Sequence, residues 1–361
     1  MQGIKIIATG RALPKKAVTN EDLCRIIESD DEWIRTRTGI GQRYYCNADE
    51  LLEYYELRRH NKENDTPDPK KENELLDKFL NGEENNEKLG IEAAKKAVEQ
   101  AEKLISGFDR NDIGVVICTA TSAYQSFPAM ACMVQTALGL PHTTMAFDMN
   151  SACSGFVLGM DIARGLLEGG KKRYALLIGT EQLSRMTDYD DRSTCILFGD
   201  GAGAAVLKLT GHDASDKDFI YAHRAWSDGG DEVLHAHGVG YKREPQLMFM
   251  DGQPVFKFAV GAMKEGIDTV LEALQKDNCI EKGYSIPESR EIGTISVNSR
   301  YQDVIDAVDK MISTGSFDRS PTFTICLIGL ISLIFSDVSV WILYKICFLA
   351  SSAFGYCPFS F

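Results

Sequence analysis

Cys153 is the residue of this chain best placed for covalent chemistry. It lies in DMNSACSGFVLGMDIARGLLEGG, residues 148–170, among the small residues Ser151, Ala152, Ser154 and Gly155. Small residues let the backbone turn sharply out of a strand, and Phe156, Met160, Ala163 and Leu167 then recur at helical spacing. The thiol therefore stands where a buried helix begins. Unpaired N–H groups and the positive end of the helix dipole favour thiolate there, and cysteines so placed fall from a pKa of about 8.5 to roughly 3.5–7.5. A thiolate of that kind is a nucleophile. Taken in isolation the same residue would be a packed structural cysteine, since free Cys is one of the most buried residue types.

Two other groups invite a chemical reading. His235 and His237 alternate, so a strand would put both on one face as a base or metal pair. No Cys or Asp at ligand spacing completes a metal site, and solvated loop histidines are the expectation. In GDGAG, Gly199, Gly201 and Gly203 suggest a phosphate cradle, but the G-x-G-x-x-G spacing is absent and a strand follows, so the segment reads as a structural turn.

The elements that would position Cys153 follow from patterning. Residues 4–8, 113–120, 144–149 and 174–179 read as strands, and 196–209 as a glycine turn entering another. Residues 20–29, 90–104, 127–138 and 153–167 read as helices. Residues 46–88 are rich in Glu, Asp, Lys and Asn and read as a solvent-exposed insertion, helical around 75–80. After residue 218 the theme repeats: strands at 219–224 and 292–297, helices at 256–274 and 303–311. Strands alternating with helices predict an α/β protein of βαβ units with helices on both faces of a sheet, and the second pass suggests duplicated halves with a site at the seam.

Composition narrows the class. A chain of 361 residues, 44% hydrophobic, buries a large core. Its net charge of −13 disfavours a nucleic-acid partner, which calls for clustered Lys and Arg. Ten scattered cysteines with no C-x-x-C pair, and no apolar secretory core in residues 1–20, predict a reducing cytoplasm without disulfides or a zinc ribbon.

Several segments together resemble the thiolase-fold condensing enzymes, most closely the β-ketoacyl-acyl-carrier-protein synthase III family. They are IIATGRALPKKAVTNEDL, SDDEWIRTRTGIGQR, SFPAMACMVQTALGL, SACSGF, DYDDRSTCILFGDGAGAAVL and MDGQPVFKFAV, spanning most of residues 3–275 outside the charged insertion. The resemblance implies a layered α/β/α/β/α arrangement of two thiolase-like halves, residues 1–210 and a partial 211–311. It implies an acyl-CoA primer that acylates Cys153, then condensation with malonyl-acyl-carrier protein to start fatty-acid chains. It also implies a homodimer and no cofactor, the coenzyme A thioester being a substrate. Trp33 and Arg37 resemble the family's coenzyme A contacts, an indole giving adenine a flat face and a guanidinium binding phosphate. Arg192 resembles the arginine that faces the tryptophan across the adenine; as an isolated residue beside Asp190 and Asp191 it would be a surface ion pair. Phe127 resembles the residue that closes the acyl pocket across the dimer. Leu234, Met250, Gly252, Gln253 and Phe256 resemble pocket and pantetheine-tunnel positions, where Leu234 and Phe256 read equally well as core.

The resemblance breaks at its last motifs. The family's cysteine works with a histidine and an asparagine that stabilise the enolate formed by decarboxylation. VNSRYQD stands where the HQAN motif belongs, so Asn298 takes the histidine position, and no GNT segment or glycine-rich FGGGF-like strand follows Met311. Residues 312–361 form a hydrophobic tail, and the reading frame is expected to leave the ancestral one near Met311. Membrane contact by residues 321–361 is the lesser alternative, because the charge-free run 320–336 falls short of the about 20 residues a membrane helix needs. The losses predict a chain that is acylated better than it condenses. Two other readings stay open: a secondary-metabolism or 3-hydroxy-3-methylglutaryl-CoA synthase-like condensing enzyme, and a catalytically impaired protein that binds coenzyme A or an acyl chain.

Overall fold

The computed structural model describes residues 3–65, 67–210, 225–227, 229–236 and 247–276. In chain order its elements are β1 (Gly3–Ala12), β2 (Ala17–Thr19), α1 (Asn20–Leu23), α2 (Asp31–Thr38), β3 (Gln42–Tyr44), α3 (Ala48–Asn64), α4 (Pro69–Asn81), α5 (Asn86–Leu104), β4 (Ile113–Thr119), α6 (Met130–Ala137), β5 (Met145–Met149), α7 (Gly155–Glu168), β6 (Tyr174–Gln182), β7 (Asp200–Thr210), β8 (Leu234–Ala236), β9 (Met248–Met250) and α8 (Gly252–Lys276). The expected strand at 219–224, the elements at 292–297 and 303–311, His237, Asn298 and the tail 312–361 lie outside the described residues.

Five strands form one mixed sheet in the order β1-β7-β6-β4-β5. β4 runs parallel to β5 and β6, while β7 runs antiparallel to β6 and β1. Strand alternation sorts the side chains of the central strands onto two faces. Val116, Cys118, Leu176, Ile178, Ala204 and Val206 join a core with Ala93, Ala97 and Val98 of α5 and Met130 and Val134 of α6. The other face receives α7, with Gly155 against Thr119 and Gly159 against Leu177. Both faces are thus covered by helices, as the near-continuous apolar runs of β4 and β6 predict.

The helix boundaries follow capping chemistry. α5 begins four residues earlier than its apolar stripe suggests, because Asn85 accepts the Lys88 N–H at 2.9 Å. The helix predicted over 127–138 begins instead at Met130. Pro128 cannot donate there, and the Asp148 carboxylate of β5 takes the Met130 and Ala131 N–H groups at 2.7 and 2.8 Å. The helix predicted over 20–29 is short, ending at Leu23 after a capping box of Thr19 and Asp22.

Residues 46–88 differ from expectation. They form the helical pair α3 and α4, and Leu51, Leu52 and Phe79 are 0%, 1% and 2% exposed, within a second core beside Ile34, Tyr45, Tyr189 and Ile196. The charge density conceals a stripe at positions 48, 51, 52 and 55, then 75 and 79, which is helical spacing. Few apolar residues suffice because Leu51, Leu52, Leu75 and Phe79 are all buried.

Candidate active site

The nucleophile's placement starts at β5. Asn150 Oδ1 accepts the Ala152 N–H at 3.2 Å, and Ser154 N–H donates to the Ser151 carbonyl at 3.0 Å, closing a single tight turn. Ala152 takes φ 43°, the left-handed region, at a strain of roughly 1–2 kcal/mol for a residue with a Cβ. Cys153 follows in the 3₁₀ turn Ala152–Ser154, and α7 starts at Gly155. A Cβ at Gly155 would lie 1.9 Å from Thr119 Oγ1, so only glycine lets α7 press its first turn on the end of β4. The predicted sharp turn and helix start are present, with the helix proper beginning two residues later.

Cys153 is exposed among the described residues. Its ionisation is the reverse of what the helix start predicts. The crowding of protein around the thiol, then the negative charge of Glu181, push it up to about 11, against a smaller opposing backbone hydrogen bond at Cys153 itself. The helix-start N–H acts in the expected direction and is outweighed. The thiol is therefore protonated at neutral pH.

Glu181, at the end of β6, is a site residue that the motifs do not reveal. Its carboxylate accepts the Thr121 N–H and Oγ1–H at 2.8 and 3.0 Å, and the Ser122 N–H and Oγ–H at 3.0 and 2.5 Å. Burial raises its pKa against those four hydrogen bonds. The available signal was one acidic side chain ending the apolar run YALLIGTE.

Trp33, Arg37 and Arg192 come together. Asp30 caps α2 by accepting the Trp33 N–H at 2.7 Å, which sets the indole on the first turn. The Arg37 guanidinium lies 4.2 Å from the Trp33 ring centre and that of Arg192 lies 5.0 Å away. Arg192 also donates to the Glu28 carbonyl at 3.2 Å. The surface ion pair that Asp190 and Asp191 suggest for Arg192 is not what forms. Asp191 is occupied by Ser193 and Thr194, and Asp190 pairs with Arg58 at 3.1 Å.

The predicted pocket residues fall into two groups. Leu234 pairs with Met250 across the β8–β9 hairpin, which Met186 and Val233 carbonyls tie down through the Met248 and Asp251 N–H groups, both at 2.7 Å. Met250 packs on the core that contains Tyr189 and Trp33, whereas Leu234 is exposed rather than core. Gly252, Gln253 and Phe256 occupy the first turns of α8, Phe256 half-buried and Gln253 exposed. Phe127 is 84% exposed, a large apolar side chain left in solvent by this single chain.

His235 sits on β8 rather than in a loop, its Nδ1 2.8 Å from the Asp231 carbonyl and its ring stacked on Phe249 at 5.2 Å. Among the described residues no group of three metal-ligating side chains occurs. GDGAG is structural, but it is no turn: from Asp200 onward it is the start of β7. Asp200 points inward to accept Cys46 N–H at 2.7 Å, Ser184 N–H at 2.9 Å and Ser184 Oγ–H at 2.6 Å, and burial pushes its carboxyl up to about 7.

Comparison with known proteins places this geometry in a lineage. The family model for 3-oxoacyl-[acyl-carrier-protein (ACP)] synthase III matches residues 147–227, which contain the Cys153 turn and Arg192. A β-ketoacyl-[acyl-carrier-protein] synthase III of Alkalilimnicola ehrlichii is 34% identical over 331 residues, covering 88% of each chain. The crystal structure of 3-oxoacyl-[acyl-carrier-protein] synthase III from Aquifex aeolicus VF5 is similar with a TM-score of 0.58 at 35% identity, over 75% of this chain and 71% of that one. The corresponding enzyme of Pseudomonas aeruginosa PAO1 gives a TM-score of 0.58 at 28% identity, over 75% and 70%. The thiolase-like α/β fold expected from the motifs is therefore the fold of this chain, which belongs to the β-ketoacyl-[acyl-carrier-protein] synthase III family.

Proposed function

We propose that this chain is an acyltransferase that takes an acyl group from coenzyme A onto Cys153 and passes it to malonyl-acyl-carrier protein, the reaction that starts fatty-acid chains. The observation that carries this reading is the Trp33–Arg192 ring clamp in the same fold as a cysteine on a strained turn at a helix start. In the first step Cys153 Sγ attacks the thioester carbonyl, its S–C bond forms, the bond to coenzyme A breaks, and the proton of the thiol leaves with the coenzyme A sulfur. In the second, loss of carbon dioxide from the malonyl group leaves a carbon nucleophile that attacks the acyl-cysteine and frees the Cys153 sulfur. No cofactor enters this scheme, because the thioester itself supplies the activated acyl group.

Within it, Arg192 moves off the indole that it covers at 5.0 Å so that adenine stacks between the two, Arg37 meets a phosphate, and Met250, Leu234, Gly252, Gln253 and Phe256 line the pantetheine arm and acyl chain. Phe127 of one subunit closes the pocket of the other in a homodimer, which suits so exposed an aromatic side chain. The chain divides at 1–210, 211–311 and 312–361 and works in the cytoplasm. No described helix is long and apolar enough to cross a membrane. Asn298 at the family's histidine position offers a hydrogen bond but no base, and the family's histidine and asparagine serve the decarboxylation that makes the carbon nucleophile. Condensation therefore loses more than acylation.

Incubation with acetyl-CoA followed by mass spectrometry of the intact protein and its peptides is expected to show one acetyl group on Cys153, absent in Cys153→Ala. No acyl adduct on the wild type would remove the mechanism. Rapid β-ketoacyl formation with malonyl-acyl-carrier protein would overturn the claim that condensation is impaired, and turnover that survives Cys153→Ala would overturn the nucleophile. The second reading, a coenzyme A binder without turnover, is favoured by Asn298 and predicts tight binding with no adduct.

A further inference from the structure

The two jaws of the ring clamp come from distant parts of the chain. Trp33 and Arg37 ride on α2, entered through residues 24–30, and Arg192 rides on the turn that follows Tyr189. Helix α3, from the charged segment 46–88, touches both approaches. Glu56 takes the Arg25 Nε and Nη2 hydrogens at 2.6 and 2.8 Å, a two-pronged bond to the segment that leads into α2. Two residues on, Arg58 pairs with Asp190 at 3.1 Å, and the Tyr55 ring lies 4.5 Å from that of Tyr189, so both hold the turn that presents Arg192. Tyr55 packs against the core cluster that contains Tyr189. Helix α4 fixes α3 in turn, through Asn61 donating to Glu72 at 2.6 Å and through buried Leu75 and Phe79.

We propose that α3 is a brace across the clamp, with Tyr55, Glu56 and Arg58 as positioning residues that set the spacing of Trp33 and Arg192 and so the enzyme's preference for an acyl donor carrying a purine nucleotide. None of the three touches the donor. They act by holding, at the middle of one helix, two segments far apart in sequence, alongside the direct bond from Arg192 to the Glu28 carbonyl. The brace gives residues 46–88 a role that their charge does not announce, and it rests on the reading of Trp33 and Arg192 as coenzyme A contacts.

The test compares two donors, acetyl-CoA and S-acetylpantetheine, which lacks the nucleotide, by the rate of Cys153 acylation at subsaturating donor, read by mass spectrometry. All four ion-pair side chains are at least a third exposed, so the Glu56→Gln, Arg58→Gln double variant is expected to keep the wild-type fold. It should lose about three- to tenfold in the acetyl-CoA rate, the size two such pairs supply, with the S-acetylpantetheine rate unchanged. Tyr55→Leu should shift the same ratio in the same direction. Lys78→Gln, which removes an exposed pair with Glu74 on α4, should leave it alone. An unchanged donor ratio in both brace variants would overturn the inference and leave the coenzyme A reading standing. A wild type with no preference for acetyl-CoA, matched by Trp33→Ala, would overturn both.

Discussion

The side chain of Glu181 shows how one half-buried carboxylate serves a loop and a nucleophile. Its four hydrogen bonds fix Thr121 and Ser122, at the root of the loop that carries Phe127, and its charge bears on the Cys153 thiol. A negative charge disfavours thiolate, so its removal must lower the thiol's pKa. Glu181→Gln is therefore expected to move the pH midpoint of Cys153 alkylation by iodoacetamide downward from about 11, followed with every other cysteine alkylation mapped by peptide. An unchanged or higher midpoint would show that crowding alone sets the thiol. The motif SACSG makes Cys153 legible as a nucleophile from sequence, and the helix start predicts the wrong ionisation. The missing information is three-dimensional: Glu181 is 28 residues away in the chain, and only the sheet brings the end of β6 beside the end of β4.

At the scale of elements, helices and strands whose apolar residues are dense were readable, and those built from sparse stripes were not. Strands β4, β5 and β6 match their predicted positions closely, and α8 contains the predicted 256–274. The pair α3 and α4 reads as solvated because Glu, Lys and Asn outnumber its core positions, yet Leu51, Leu52 and Phe79 join one core with Ile34 and Tyr189. If the pair belongs to the core, Phe79→Ala should cost about 3–5 kcal/mol in denaturant unfolding. A solvated insertion would lose no more than about 0.5 kcal/mol. Chemical denaturation with tryptophan fluorescence and circular dichroism distinguishes the two. Helix starts were the least legible feature, since α6 takes its cap from Asp148 on β5 rather than from its own preceding residues.

For the whole molecule, among the described residues β5 is an outer strand of the sheet, its first residue Met145 is exposed, and exposed Phe127 heads the segment before α6. A strand edge flanked by apolar side chains is a place for another chain to pair. The proposed homodimer uses that edge. Met145→Lys should shift sedimentation at micromolar protein from dimer toward monomer and slow Cys153 acylation, because Phe127 then has no partner pocket to close. Phe127→Ala should leave the dimer intact while altering acyl-chain preference. A monomeric wild type at the same concentration would remove both the interface and the role of Phe127.

The linear order of residues by itself determined the alternation of strands and helices, the nucleophile's turn, and the grouping of Trp33, Arg37 and Arg192 by resemblance. Such features are local or are written in recurrent short motifs, so they survive without coordinates. Only the tertiary structure decided that Asp190 belongs to Arg58 and leaves Arg192 to the indole, that Glu181 faces the thiol, and that a charged segment closes the second core. Each depends on partners far apart in sequence, where a charge or an apolar side chain gains its meaning from what the fold sets against it.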